Sequence, residues 1–227
     1  MNEAQCCLLI GNTRWHWAIK TQKKWEFIHS LPKAKENTSL RKALWKWAAV
    51  GPIPNDVGLQ SSKQMTLKDI PLQKAPKWLG IDRALGGWGA FQKAKLSGLH
   101  SKGLLIADAG TVLSLTQITP KGEFAGGQLV AGLKLQRLAM AEKTHHLNYA
   151  KSNCLPNQTF PFTTDEAILR GSFQSLAGTL IEAQKMTKSP IWLCGGDSEI
   201  LFQNLEKKLD ITYSPNLVLE TMITINS

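Results

Sequence analysis

Three short groups of residues in this chain have types and spacings that chemistry can use. The first is Asp108-Ala109-Gly110-Thr111, which follows the apolar run Leu104-Leu105-Ile106 and leads into Val112-Leu113. The run is long enough for a buried strand. Gly at the turn lets the backbone approach a ligand closely, and successive N–H groups with a Thr hydroxyl can hold phosphate oxygens. A carboxylate beside that turn repels phosphate unless a cation or a proton intervenes. Asp108 and Thr111 together therefore read as a nucleotide and cation site. Taken alone, the stretch also reads as an ordinary hairpin turn with Asp as a turn former.

The motif occurs twice. Leu8-Leu9-Ile10-Gly11-Asn12-Thr13-Arg14 runs apolar, turns on Gly and Thr, and leaves through Trp15, Trp17 and Ile19. Gly11 and Gly110 lie 99 residues apart, the spacing expected if each opens one half of a duplicated fold. The same alignment puts Leu9 where the second copy has Asp108. The third group is Gly80-Ile81-Asp82-Arg83. An Asp-Arg pair entering a helix is either a helix start with a surface ion pair, or a base beside an anion-binding guanidinium. The residues alone leave both open.

The elements that must position these groups follow from periodicity. A hairpin spans residues 6–20 and a third strand residues 25–28, with Trp15 and Trp17 on one core face. A loop over 32–38 precedes a helix capped by Thr38 or Ser39 and carrying Leu40, Leu44, Trp45 and Ala48, ended by Gly51-Pro52. A short strand over 57–59, a lysine-rich surface loop over 60–78 and a helix over 84–96 follow. Residues 122–132 carry glycines dense enough to favour close backbone approach over a packed strand. Helices are expected over Leu133–Lys143 and over 164–185, the latter capped by Thr164, with a proline-bearing loop over 151–162 between them. His145-His146 reads as a helix end rather than a metal site. Ile191–Cys194 reads as a buried strand ending at Gly195-Gly196-Asp197, a helix follows, and 217–219 reads as a last strand. Strands alternating with helices give an α/β protein.

Composition sets bounds. The 227 residues, 43% hydrophobic and 19% charged, suit one large domain or two small ones with a real core. No apolar stretch reaches membrane-spanning length and no secretory leader is evident, so a cytoplasmic location is expected. Cys6, Cys7, Cys154 and Cys194 lack metal-site spacing and are expected to be buried small hydrophobes. The net charge of +10 is uneven: residues 1–102 carry +11 and residues 103–227 carry −1. A basic half attracts anionic ligands. Its lysines are scattered, so nucleic-acid binding ranks below nucleotide binding.

In order and content these motifs resemble those of type III pantothenate kinases, members of the actin-like, sugar-kinase and heat-shock ATPase superfamily. Ile10-Gly11-Asn12-Thr13 is similar to the family's first phosphate loop and Gly80-Ile81-Asp82-Arg83 to its pantothenate signature. Asp108-Ala109-Gly110-Thr111, then Gly122, Gly126-Gly127 and Gly132, resembles the second phosphate loop and the segment after it. Thr164, Ala167-Ile168 and Gly171, and finally Gly195-Gly196-Asp197, resemble the remaining signatures. The resemblance implies a duplicated actin-like (ribonuclease H-like) fold, with lobes over 1–102 and 103–227 and a nucleotide cleft between them. It implies ATP-dependent phosphorylation of pantothenate, the first step of coenzyme A biosynthesis, by a homodimer. Asp82 would be the base; Gly80, Ile81, Asp82, Arg83 and Thr164 would contact pantothenate. Leu9, Ile10, Gly11, Asn12, Thr13, Arg14 and Thr111 would line ATP. Asp108 would hold potassium or ammonium, and Mg²⁺ would travel on the nucleotide. The chain departs from the pattern at Leu9 (Asp in the family), Ala131 (Pro) and Gln73 (aromatic). The alternative is a catalytically silent ATP- or pantothenate-binding regulator on the same fold.

Overall fold

The computed structural model describes residues 5–22, 24–32, 36–55, 57–152 and 154–225. Its contacts gather the chain into two units. One comprises Met1–Leu99, Lys121–Phe124 and Asn216–Ser227; the other comprises His100–Pro120 and Ala125–Pro215.

In the first unit β1 (Cys6–Ile10) turns back into β2 (Trp15–Lys20), which pairs with β3 (Trp25–Ser30), all antiparallel. β4 (Leu44–Ala49) then lies parallel to β1 on its other side, giving the order β3-β2-β1-β4. The second unit repeats the plan. β5 (Leu104–Ala109) turns into β6 (Val112–Ile118), β7 (Phe124–Ala131) flanks β6, and β8 (Ile191–Cys194) lies parallel to β5. A short β9 (Ile211–Tyr213) completes the order β7-β6-β5-β8-β9. The two Gly-Thr turns occupy corresponding places in these sheets, each leaving the strand that is flanked by an antiparallel and a parallel neighbour.

Alternation along β1 and β2 sends Leu8, Ile10, Trp15 and Trp17 to one face, where they pack with Leu44 and Trp47. The Trp17 indole N–H is satisfied by Asn37 Oδ1 at 3.1 Å, as a buried indole requires. α1 (Glu36–Lys42) covers this face through Leu40. α2 (Ile81–Leu96) packs on α6 (Leu217–Thr224), and α6 touches β1 and β2. In the second unit Ala107, Ala109, Leu113, Leu115 and Leu193 pack against Phe173, Leu176 and Leu180 of α4 (Thr164–Thr187). α3 (Leu133–Lys143) and α5 (Ser198–Leu205) complete that unit.

Several expectations are overturned. Leu44–Ala49 is a strand, not part of a helix, and the helix before it takes in residues 36–42, part of the expected loop. A six-residue apolar run does not declare its own period, and pairing with β1 decides it. No strand forms over 57–59; Val57 and Leu59 instead pack on the first core as irregular chain. The segment over 60–78 contains two 3₁₀ turns and buries Met65, Ile70 and Leu72. Residues 124–131 do form a strand, at the sheet edge, where glycine is tolerated. Residues 217–219 are helical because α6 packs on α2. The cap of α4 is Thr163, whose hydroxyl accepts from the Glu166 N–H at 3.3 Å, so Thr164 is the first helical residue. Cys154 is exposed, while Cys6, Cys7 and Cys194 are buried. Residues 33–35 and Asn153, inside two expected loops, lie outside the described residues.

Candidate active site

The first turn closes through the Gly11 N–H donating to Arg14 O at 2.9 Å. It is held from the β4 side by the Val50 and Gly51 N–H groups, both donating to Ile10 O. Ile10 is buried in the strand, whereas Asn12, Thr13 and Arg14 are exposed. Leu9 is 7% exposed, and its strand neighbours are His16 and Ala48. An apolar side chain thus closes the row in which the second copy carries a carboxylate.

In the same unit Gly80 caps α2 and Ile81 anchors its first turn in the core, which brings Asp82 and Arg83 onto that turn. Asp82 Oδ1 accepts from the Arg83 N–H at 2.8 Å. Burial pushes the Asp82 carboxyl above its ordinary value, opposed by that N–H and by the Arg83 guanidinium. Arg83 lies over the Phe124 ring, 5.9 Å from its centroid, and Phe124 meets Trp78 edge-on at 6.1 Å. Lys74 and Glu123 form an ion pair at 3.0 Å beside this group. The result is a half-buried carboxylate and a guanidinium on an aromatic floor, suited to a small anionic substrate with a hydroxyl. Neither Trp78 nor Phe124 carries a motif that marks it for the site. Only the fold brings Phe124, some forty residues away, onto Arg83.

In the second unit the turn closes through Gly110 N–H to Val112 O at 3.2 Å. Gly132, at the start of α3, donates to Thr111 O at 3.0 Å, and the Asp197 N–H donates to Ala109 O at 2.8 Å. Gly195 has φ +92, and a methyl group there would run into Asp108 Oδ1 and into Ala109 O. Only glycine permits this approach. Asp108 Oδ1 and the Ala109 carbonyl oxygen thus both lie against Gly195. Thr164 sits at the exposed start of α4, in this second unit, whereas Asp82 belongs to the first.

A cavity of about 350 Å³ opens directly beyond the glycines that cage this turn. Its walls include Leu133, Arg137, Ser172, Phe173, Gly196 and Asp197. Ser172 is 2% exposed and its hydroxyl has no hydrogen-bond partner among the described residues. A buried polar atom left so is costly unless a ligand or water completes it. Arg137 is held by the carbonyls of Leu133, Ala150 and Ser152. Gly196 and Asp197 of the Gly195-Gly196-Asp197 signature mark its rim.

The sequence profile of the type III pantothenate kinase family matches residues 57–185. A type III pantothenate kinase from Thermosynechococcus vestitus is 32% identical over 218 residues, covering 89% of this chain and 81% of the relative. The chain belongs to the type III pantothenate kinase family. A second relative of the same name, from Synechococcus elongatus, is 28% identical and covers 93% and 92% of the two chains. Among solved structures, a Campylobacter jejuni protein assigned to the Baf family of transcriptional activators superposes with TM-score 0.64 at 15% identity. It covers 97% of this chain and 96% of its own. A Sinorhizobium meliloti protein assigned as a 2-dehydro-3-deoxygalactonokinase gives TM-score 0.53 at 12% identity, covering 96% of both chains. The fold is that of the sugar kinases and actin-like ATPases.

Proposed function

We propose that this chain transfers the γ-phosphoryl group of ATP to the hydroxyl of pantothenate, giving 4'-phosphopantothenate at the start of coenzyme A biosynthesis. The observation that carries the reading is Asp82: a carboxylate raised by burial, fixed at a helix start, beside a guanidinium on an aromatic floor. Phosphoryl transfer needs positioning and charge neutralisation more than covalent chemistry. Asp82 would take the proton of the attacking hydroxyl. Its raised pKa brings it nearer the working pH, which favours a general base. Arg83 and Trp78–Phe124 would orient the carboxylate and carbon chain of pantothenate, with Thr164 as a further contact.

On the nucleotide side, residues 9–14 and Thr111 would line the phosphates through backbone N–H groups and hydroxyls. The cavity behind Gly132 and Gly195 would take the nucleoside, with the Ser172 hydroxyl meeting its polar edge. Mg²⁺ would be carried by the triphosphate, where it would neutralise developing charge. Asp108 would hold a potassium or ammonium ion. No helix among the described residues is long and apolar enough to cross a membrane. A homodimer and a cytoplasmic location complete the reading.

The experiment is pantothenate-dependent ADP release with identification of the phosphorylated product. Leu9 favours the silent-regulator alternative, because it leaves the first turn without a carboxylate. Product formation by the purified chain decides for the kinase; ATP binding without product decides for the regulator.

A further inference from the structure

The first sheet carries two titratable side chains that the mechanism above does not use. His16 of β2 and His29 of β3 are cross-strand partners, and their Nδ1 atoms lie 2.8 Å apart. The rings meet edge to face with centroids 5.0 Å apart. The other edge of His16 is turned to the phosphate turn: a methyl group on the Gly11 Cα would lie 3.1 Å from His16 Nε2. His16 is in turn the β1 partner of Leu9. One row across the sheet therefore reads Ala48, Leu9, His16, His29, and its only polar edge beside the turn is His16 Nε2.

We propose that His16, oriented by His29, donates its Nε2–H to a phosphate oxygen at the first turn and is the polar group that stands in for the carboxylate missing at Leu9. The proposal rests on reading Gly11-Asn12-Thr13 as a phosphate turn. Two Nδ1 atoms at hydrogen-bonding distance share one proton. If His29 donates, His16 Nδ1 is the acceptor and its own proton must sit on Nε2, facing the turn. The reverse arrangement would aim a bare lone pair at an anion. Burial, then Arg14, hold the His29 pKa below its ordinary value, opposed by the Asn216 side chain, so His29 too is a neutral ring with a single proton. Burial, then His29 and Arg14, hold His16 down to about 4, so its ring is neutral and its tautomer is what matters. A neutral N–H donor and a carboxylate serve the triphosphate differently: one meets the oxygens directly, the other through a cation.

The test compares His16→Leu, His16→Gln, His29→Leu and His29→Asn with wild type in pantothenate-dependent ADP release. Melting curves by circular dichroism and ¹⁵N NMR of the imidazoles accompany the kinetics. His16→Leu should lower kcat/KM for ATP about ten- to a hundredfold, the loss expected for a hydrogen bond to a charged group, while leaving KM for pantothenate unchanged. His16→Gln, whose amide reaches the Nε2 position, should restore most of it. His29→Leu should lose part of the activity and His29→Asn, with an N–H near the Nδ1 position, should regain it. The His29 pair carries the test if His16→Leu fails to fold. In wild type the His16 proton should be found on Nε2. Wild-type kcat/KM for ATP in His16→Leu, or a proton on His16 Nδ1, overturns the proposal and leaves the kinase reading standing. A wild-type chain without pantothenate-dependent ADP release overturns both.

Discussion

Leu9 and His16 face each other across the first hairpin, so an apolar side chain and an imidazole share the place where the second turn has Asp108. Leu9→Asp puts a carboxylate against that imidazole. We expect the His16 pKa to rise from about 4 by at least about one unit, read by NMR titration, because an opposite charge favours the protonated ring. The apparent Mg²⁺ affinity should change with it. Stability should fall by about 1–3 kcal/mol in urea unfolding, since Leu9 is nearly buried. An unmoved His16 titration would show that the two side chains do not meet.

Asp82→Asn should cut turnover at least about a hundredfold with little change in substrate binding, as for loss of a general base. Its stability should not fall. Burial raises the Asp82 pKa in the folded chain, so the ionised form costs the fold energy at neutral pH, and the neutral amide removes that cost. A variant with wild-type turnover, or one that melts well below wild type, would make Asp82 a structural helix-start residue.

Much of this arrangement was legible because it is local. Each Gly-Thr turn follows an apolar strand directly, and Gly80-Ile81-Asp82-Arg83 opens α2 within one turn. The misreadings fall where non-local pairing decides. Leu44-Trp45-Lys46-Trp47 carries no periodicity that excludes helix, yet β1 recruits it as a parallel neighbour, and even buries Lys46, whose ammonium donates to Ile225 O. Leu217-Val218-Leu219 looks like a strand, yet Gly89 of α2 leaves room for Thr221 and draws the segment in as a helix. The aromatic floor under Arg83 and the cavity beside the second turn are likewise products of long-range folding, so their residues carried no signal of their own.

Cys154 lines the cavity and is the exposed member of the four cysteines. Cys7 is pushed up to about 12 by burial, and Cys6 is raised for the same reason, so neither presents a thiolate at neutral pH. Iodoacetamide at neutral pH should therefore label Cys154 alone, by peptide mass mapping. ATP should slow that labelling if the cavity takes the nucleoside, and pantothenate should not. Labelling indifferent to ATP would move the nucleoside elsewhere.

Acid should destabilise the chain through the histidine pair. A ring whose folded pKa is about 4, against 6.5 unfolded, contributes stability that is present above about 6.5 and is lost as pH falls toward 4. The full loss is about 3 kcal/mol for His16, with His29 acting in the same direction and Asp82 in the opposite one. Urea midpoints measured from pH 7 to pH 4 should fall steeply in wild type and less in His16→Gln. Parallel slopes in the two proteins would place the acid sensitivity in other groups.

The last prediction tests the cation reading through a residue that touches no ligand. Gly195 has its backbone in the left-handed region and its Cα against Asp108 Oδ1 and Ala109 O, beside the second turn. Gly195→Ala adds one methyl group at that point and forces the carboxylate or the carbonyl aside. Asp108→Ala removes the carboxylate and leaves the backbone alone. If Asp108 holds a monovalent cation, both variants should respond far less to potassium or ammonium than wild type. Gly195→Ala should also melt lower, by about 1–3 kcal/mol in stability, because an L side chain is strained there. Activation by potassium that is unchanged in Asp108→Ala would remove the carboxylate from the cation's shell. A response lost in Asp108→Ala and kept in Gly195→Ala would mean that the turn yields without moving the Asp108 carboxylate.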